Sequence, residues 1–137
     1  MPIVFSGDSM PDVVAPPFAI IADSLRRISP RGPGFFSLTH DDGSFMQVAG
    51  ATLRLTVEYR EVRGASFRHF VLGAEANADR TMKQINSRSG QINLLANEVL
   101  TVDDAVIVFR RFYETGKVPD GYTLRDDTAR FADGGVT

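Results

Sequence analysis

The fold of this chain is indicated most clearly by the stretch Asn97-Glu98-Val99-Leu100-Thr101-Val102-Asp103-Asp104-Ala105, which runs directly into Val106-Ile107-Val108-Phe109-Arg110-Arg111-Phe112-Tyr113. It predicts a strand end, a capped turn and an amphipathic helix over about residues 102–115. Thr101 suits the cap and Asp104 follows three residues later, as in a capping box. Gly116 then ends the helix. The buried stripe comprises Val102, Ala105, Val106, Phe109, Phe112 and Tyr113.

An earlier helix is predicted after Pro16-Pro17, because proline suits a first helical turn. Apolar residues then recur three and four positions apart, the spacing of one helix face. Ser29-Pro30 ends this pattern, since proline disfavours helical geometry in the residue before it. The stripe is Phe18, Ile21, Ala22, Leu25 and Ile28.

Strands are predicted between the helices. Residues 35–39 and 44–48 flank Asp41-Asp42-Gly43, and a three-residue loop pairs Leu38 with Met46 and Phe36 with Val48. Residues 52–60 alternate, with Leu53, Leu55, Val57 and Tyr59 on one side. Further strands are predicted at 66–72, 81–86 and 91–95, although 73–90 has the weakest pattern.

This order predicts an α+β fold, in which an antiparallel sheet of about five to six strands has an N-terminal and a C-terminal helix packed on one face. Residues 1–137 suit a single domain. We expect 1–15 and 126–137 to be loosely ordered, because neither segment shows periodicity.

The composition of the chain argues against several classes of function. The net charge of −2 gives no drive toward nucleic acid or an anionic membrane. The chain has no cysteine, which excludes disulfides and thiolate metal sites. Residues 1–9 lack the basic and apolar regions of a signal peptide, and no apolar run approaches the roughly 20 residues that span a bilayer. We therefore expect a cytoplasmic protein that binds neither nucleic acid nor membrane.

No motif predicts chemistry. The two histidines, His40 and His69, lack metal-ligand spacing, and His69 is expected to be a hydrogen-bonded sheet residue. There is no phosphate-binding glycine loop and no nucleophile elbow. The sequence therefore predicts no catalytic, cofactor-binding or metal-binding residue, and the chain is expected not to be an enzyme.

Several charged residues suggest a protein partner. Turn and helix-start roles explain Asp41, Asp42, Asp103 and Asp104, whereas Glu58, Glu61 and Glu98 are less well explained by such roles. Glu58 and Glu61 lie on or beside a polar strand face with Arg60, a mixed surface that suits protein recognition. The predicted partner-binding residues are Asp41, Asp42, Glu58, Arg60, Glu61 and Glu98.

Four segments, taken in order, resemble one family. They are residues 45–50 (FMQVAG), 55–61 (LTVEYRE), 67–73 (FRHFVLG) and 97–100 (NEVL), the last followed by a helix containing Asp-Ala. Together they look like immunity proteins of bacterial polymorphic toxin systems, in particular the first of the broad immunity families, whose members often sit beside deaminase and nuclease toxins. The likeness covers roughly residues 35–125.

The resemblance implies a small cytoplasmic protein that binds one cognate toxin domain and blocks its active site, without a cofactor. It implies no catalytic residue and no particular oligomeric state. Two alternatives stay open: a small-ligand-binding or enzymatic α+β pocket domain, and a secretion chaperone or adaptor. A deep apolar pocket with a buried carboxylate of raised pKa would favour the first alternative. A large exposed apolar patch or a stable dimer would favour the second.

Overall fold

A computed structural model of the chain describes residues 3–8 and 10–134. Within these residues, seven strands form one antiparallel sheet in the order β2-β1-β3-β4-β5-β6-β9, and β7 pairs with β8 in a second, two-stranded sheet. The elements, in chain order, are β1 (Val4–Gly7), β2 (Met10–Val14), α1 (Phe18–Leu25), β3 (Phe35–Thr39), β4 (Phe45–Ala51), β5 (Arg54–Arg63), β6 (Ser66–Ala74), β7 (Met82–Ser87), β8 (Gly90–Leu95), a short 3-10 helix (Ala96–Glu98), α2 (Val102–Thr115), β9 (Tyr122–Asp126) and α3 (Ala129–Gly134).

The α+β class with an antiparallel sheet is confirmed, but the expected strand count was too low because both chain ends contribute strands. β1 lies beside β3, and Phe5 is fully buried with its ring stacked on Phe36 at 5.4 Å. Burial of the Phe5 side chain stabilises residues 4–7 as a strand, although this segment has no clear periodicity. Instead of being loose, residues 4–7 and 10–14 form β1 and β2; Met1, Pro2 and Ser9 lie outside the described residues.

The β3–β4 hairpin has the predicted register. Leu38 lies opposite Met46 and Phe36 opposite Val48, with all four side chains buried. Gly43 has φ +93°, the left-handed conformation that a three-residue loop requires. Apolar matching across the strands therefore predicted the loop length correctly.

β5 begins later than expected. Residues 52 and 53 form a turn, and Leu53 is exposed rather than part of the buried row. Leu55 instead exchanges two backbone hydrogen bonds with Leu100, at 3.0 and 2.9 Å. These two hydrogen bonds hold the residues just before α2 against the sheet. The start of β5 is therefore determined by pairing with this distant segment.

One face of the large sheet, termed the helix face, is covered by α1 and α2. Both helices contribute to its apolar core, in which Val108, Phe109 and Phe112 of α2 are fully buried. α2 has the predicted bounds, and the Asp104 carboxylate accepts a 3.1 Å hydrogen bond from the Thr101 backbone N–H. Gly116 ends the helix with φ +74°.

The opposite face of the sheet is covered by other elements. We term it the network face, because Glu58, Arg60 and His69 are joined there by hydrogen bonds. The β7–β8 hairpin packs Ile85 and Leu94 against Val71, and α3 places Phe131 beside Phe67 and His69. The expectation of helices on one face is therefore incomplete, because α3 lies on the other. The segment 126–137 was expected to be loose, but α3 occupies 129–134 of it; residues 135–137 lie outside the described part.

Candidate functional site

The structure separates the six predicted partner-binding residues into three places. Asp41, Asp42 and Glu61 lie at one end of the sheet, and are termed the acidic edge. Glu58 and Arg60 lie on the network face, where β5 pairs with β6. Glu98 lies in the 3-10 helix and is buried. These three groups have different surroundings and therefore different chemical possibilities.

The acidic edge is formed by the β3–β4 turn and the end of β5. Asp41 and Asp42 are exposed, and the Asp42 carboxylate accepts a 2.8 Å hydrogen bond from the Ser44 backbone N–H. The Glu61 side chain is 27% exposed and pairs with Arg63 at 3.2 Å.

Tyr59 lies next to the acidic edge, where the carboxylates of Glu61 and Asp42 are opposed by the guanidinium of Arg63. Burial raises the pKa of its phenol, and the nearby charges of Glu61 and Asp42 raise that pKa further. The Tyr59 hydroxyl donates to the Gly116 carbonyl at 3.3 Å, so the end of α2 reaches the same place. The backbone that carries Asp41, Asp42 and Glu61 is therefore fixed by the β3–β4 turn, by β5 and by the end of α2.

On the network face, Glu58 and His69 form a hydrogen-bonded pair. His69 is fully buried, while the Glu58 side chain is 13% exposed. The Arg60 Nε–H donates to His69 Nδ1 at 3.1 Å, so Nδ1 is an acceptor and the ring proton lies on Nε2. Nε2 donates to Glu58 Oε1. Both ring nitrogens are thus used inside the protein.

Arg60 is surrounded by aromatic rings. Its guanidinium carbon lies 4.0 Å from the Phe67 ring centre, 4.4 Å from that of Phe131 and 5.2 Å from that of Phe45. Phe45, Arg60 and His69 are direct cross-strand neighbours on β4, β5 and β6. Burial lowers the pKa of Arg60 and the charge of Glu58 raises it in part, but the cation–π contacts keep this group inside the protein.

α3 joins this cluster through Arg130. Arg130 Nη2 donates to Glu58 Oε1 at 2.6 Å, and Arg130 Nε lies 3.0 Å from Asp127 Oδ2. Burial by itself would raise the pKa of Glu58, but the His69 hydrogen bond and the Arg130 charge together lower it below its ordinary value. Glu58 is therefore an ion-paired carboxylate rather than a protonated acid.

Glu98 receives a structural role that its sequence position did not reveal. The residue is 1% exposed, and its carboxylate accepts from Arg125 Nε and Nη2 at 2.7 and 3.0 Å. It also accepts from the Leu95 backbone N–H at 2.9 Å. The Glu98 hydrogen bond raises the pKa of Arg125. Glu98 holds the 3-10 helix to β9 and is not accessible to a partner in this structure.

The 3-10 helix packs against the sheet at Gly73, where the side chain of Asn97 comes close to the backbone of β6. A Cβ atom built at Gly73 would lie 2.2 Å from Asn97 Nδ2 and 2.6 Å from Thr123 Oγ1. Only glycine leaves room for the side chain of Asn97, whose Nδ2 donates to Thr123 at 3.2 Å. Asn97 and Glu98 therefore fasten the same short helix across β6 and β9.

Sequence reasoning missed the cations that complete the network. The sequence pattern assigned no helix or strand to the segment that contains Arg125, Asp127, Arg130 and Phe131, so their involvement was not predicted. Alternation of Tyr122, Leu124 and Asp126 with Thr123 and Arg125 was the available signal, but five residues are too few to distinguish a strand from a loop.

The arrangement offers little for catalysis. A general base needs a nitrogen or oxygen free to meet a substrate, and both His69 nitrogens are occupied. Among the described residues, no group of three or more His, Asp or Glu side chains could hold a metal ion. The network is best explained as buried polar groups that satisfy one another.

Two grooves among the described residues lie away from this network. A groove of about 410 Å³ runs between the β7–β8 turn and the start of β3, where Arg88 reaches Asp8 at 3.5 Å. A second groove, of about 190 Å³, is lined in part by Arg54 and Ile85. Neither groove contains Glu58, His69 or Glu98.

Six large apolar side chains are exposed among the described residues, and each belongs to a different strand, helix or turn: Val14, Ile20, Leu53, Met82, Ile107 and Leu124. Across the same residues, no helix has the length and apolar character needed to cross a membrane.

Comparisons with known proteins add no relative to this description. A scan against protein-family models found no match, and a search of curated proteins likewise returned none.

Proposed function

We propose that this chain is an immunity protein that binds a cognate bacterial toxin domain, such as a deaminase or nuclease, and occludes its active site. One observation carries the proposal. The buried groups suited to chemistry pair with one another on the network face, while Asp41 and Asp42 are exposed and Glu61 is partly exposed on a firmly held edge. Such a molecule offers a surface for recognition rather than a reaction centre.

The electrostatics of the edge suit this role. A toxin that acts on nucleic acid has a basic cleft, and exposed carboxylates steer an inhibitor toward such a cleft. Ordered carboxylates lose less conformational entropy on binding than flexible ones. The hydrogen bond from Ser44 to Asp42 and the strand position of Glu61 both restrict these side chains.

We place the partner surface on fewer residues than the sequence predicted. Glu58 is bound by His69 and Arg130, and Glu98 by Arg125, so altering either residue would disturb the fold as well as a contact. We therefore assign the recognition role to Asp41, Asp42 and Glu61, with Arg60 and Glu58 supporting the sheet beneath.

The test combines a neighbouring gene with charge reversal. The reading frame beside this chain is examined for a protein with a toxin-like terminal domain. That domain is purified, and its binding to this chain is measured by calorimetry at two salt concentrations. We expect Asp42→Lys with Glu61→Lys to weaken binding by at least 100-fold and to reduce its salt dependence, since two attractive charges become repulsive. Co-expression should show that the wild-type chain restores growth and the double variant does not.

A matched control reverses an exposed carboxylate elsewhere. Glu75→Lys changes the charge by the same amount per site, in the exposed loop after β6. It should bind as the wild type does, and circular dichroism should show that all variants are folded. Unchanged affinity of the double variant would remove the acidic edge from the interface, and failure of the wild-type chain to bind the toxin domain would overturn the proposed function.

A further inference from the structure

The two edge strands of the large sheet, β2 and β9, differ in how they resist pairing with another strand. An edge strand presents unpaired N–H and C=O groups, and proteins blunt it with proline, bulges or charge. β2 contains Pro11, and its register with β1 shifts between Phe5 and Gly7. The residue that follows it, Ala15, has φ +50°. These features interrupt the ladder that a further strand would need.

β9 has none of these interruptions. Its five residues pair with β6 in an unbroken register and include no proline. Its two charged side chains, Arg125 and Asp126, are paired with Glu98 and Arg68 of the same chain. Asp127 N donates to His69 O at 2.7 Å, and Glu75 N donates to Gly121 O at 3.0 Å. These two bonds show that the odd-numbered residues of β9 direct their backbone groups toward β6. The N–H and C=O groups of Thr123 and Arg125 therefore face β6.

The alternate residues of β9 face outward. Because successive residues of a strand direct their backbone groups to opposite sides, those of Tyr122, Leu124 and Asp126 point toward the free edge. No backbone hydrogen bond to Leu124 N or O is formed within the described residues outside the β6–β9 ladder, and its side chain is 44% exposed. The outward groups are symmetric about Leu124, the central residue of the strand.

We propose that β9 pairs with β9 of a second copy of this chain, antiparallel, about a two-fold axis at Leu124. In this register Leu124 exchanges two hydrogen bonds with Leu124 of the second copy. Tyr122 and Asp126 form the flanking hydrogen-bonded pairs with Asp126 and Tyr122 of that copy. Every outward backbone group of the strand then has a partner, and the two sheets become continuous.

The side chains suit this register. The two Leu124 side chains meet on one face, and each Arg125 lies opposite a threonine, so no like charges stand directly opposite one another. The two Arg125 side chains lie diagonally on the other face. Each is already balanced by Glu98 at 2.7 Å and Asp127 at 3.7 Å within its own chain. An antiparallel self-pairing is a closed two-fold contact, which limits assembly to a dimer.

This dimer goes beyond the proposed function, because it uses none of the acidic edge residues. It is a reversible, concentration-dependent contact and differs from the stable dimer that would favour a secretion chaperone. Sedimentation equilibrium of the full chain over a wide concentration range tests it. The average mass should rise reversibly from 15.0 kDa toward twice that value. A wild-type chain that stays monomeric at every concentration would overturn the proposal.

The same substitution at the two edges locates the contact. Leu124→Lys should abolish the mass increase, because two ammonium groups would meet at the axis. Val14→Lys, at a β2 residue that is 64% exposed, should leave the mass increase intact. Mixing Leu124→Lys with Leu124→Glu should restore the dimer. A dimer that survives Leu124→Lys, or that disappears in Val14→Lys, would overturn the assignment to β9.

A single cysteine provides a test that does not depend on charge. The chain has no cysteine, so Leu124→Cys introduces one thiol at the proposed axis. Hydrogen-bonded antiparallel partners have Cα atoms about 5.5 Å apart, within the range of a disulfide. Mild oxidation should give a covalent dimer of Leu124→Cys and leave Val14→Cys largely monomeric. Absence of the Leu124→Cys dimer in a folded sample would contradict the two-fold register.

Discussion

The two faces of the large sheet are held by different forces. The helix face buries aromatic and aliphatic side chains under α1 and α2, with Phe109 and Phe112 at its centre. The network face buries Glu58 and His69 and surrounds the Arg60 guanidinium with three aromatic rings. Apolar burial is non-directional, whereas the network needs specific donors and acceptors. The helix face should therefore contribute more stability, and the network face more dependence on pH.

Removing a ring from the helix face should have the largest effect. Phe109→Ala deletes a fully buried side chain and should lower the free energy of unfolding by about 3–5 kcal/mol. Ile107→Ala, two residues earlier on the exposed side of α2, should change it by less than about 1 kcal/mol. Urea denaturation measures both values. Equal losses at the two positions would show that α2 does not pack as described.

Removing the histidine from the network face should have a smaller effect. His69→Leu keeps an apolar side chain in a fully buried position, but leaves Arg60 Nε without its acceptor and Glu58 with Arg130 as its remaining charged partner. The expected loss is about 1–3 kcal/mol, the usual cost of unsatisfied buried polar groups. Glu61→Gln, at the partly exposed end of β5, the strand that also carries Glu58 and Arg60, should lose no more than about 0.5 kcal/mol. A His69→Leu variant as stable as the wild type would mean that packing alone holds this face.

Acidification should weaken the network face without removing any atom. Glu58 has a lowered pKa in the folded state, so its charge stabilises the fold above the unfolded value near 4.5. That contribution is lost as the pH falls from there through the folded pKa. Urea midpoints at pH 7, 5, 4 and 3 should fall less steeply for Glu58→Gln than for the wild type. Parallel curves would assign the acid sensitivity to other carboxylates.

Sequence reasoning succeeded where local chemistry determines the structure. α2 has its predicted ends because a cap, an apolar stripe and Gly116 act within one segment. The β3–β4 hairpin has its predicted register because adjacent strands must match apolar partners. Both features depend on residues fewer than about 15 positions apart, and the resemblance to immunity proteins stays a prediction that the toxin-binding experiment tests.

The same reasoning failed where distant residues meet. Glu98 was expected to contact a partner, yet Arg125 lies 27 positions later and neutralises it inside the fold. Arg130 reaches Glu58 across 72 positions, from a segment without periodicity. A short strand or helix of this kind is stabilised by the surface it covers rather than by its own propensity.

By itself the sequence determined the α+β class, the second helix, the central hairpin and the absence of thiol chemistry, because each follows from residue type and short-range spacing. Only the tertiary structure decided which carboxylates are buried with cations and which stay exposed. Burial of charge is acceptable where a partner of opposite charge arrives with suitable geometry. That geometry comes from strand pairing and from the return of the chain over the network face, so Glu58 and Glu98 became structural while Asp41, Asp42 and Glu61 remained at the surface.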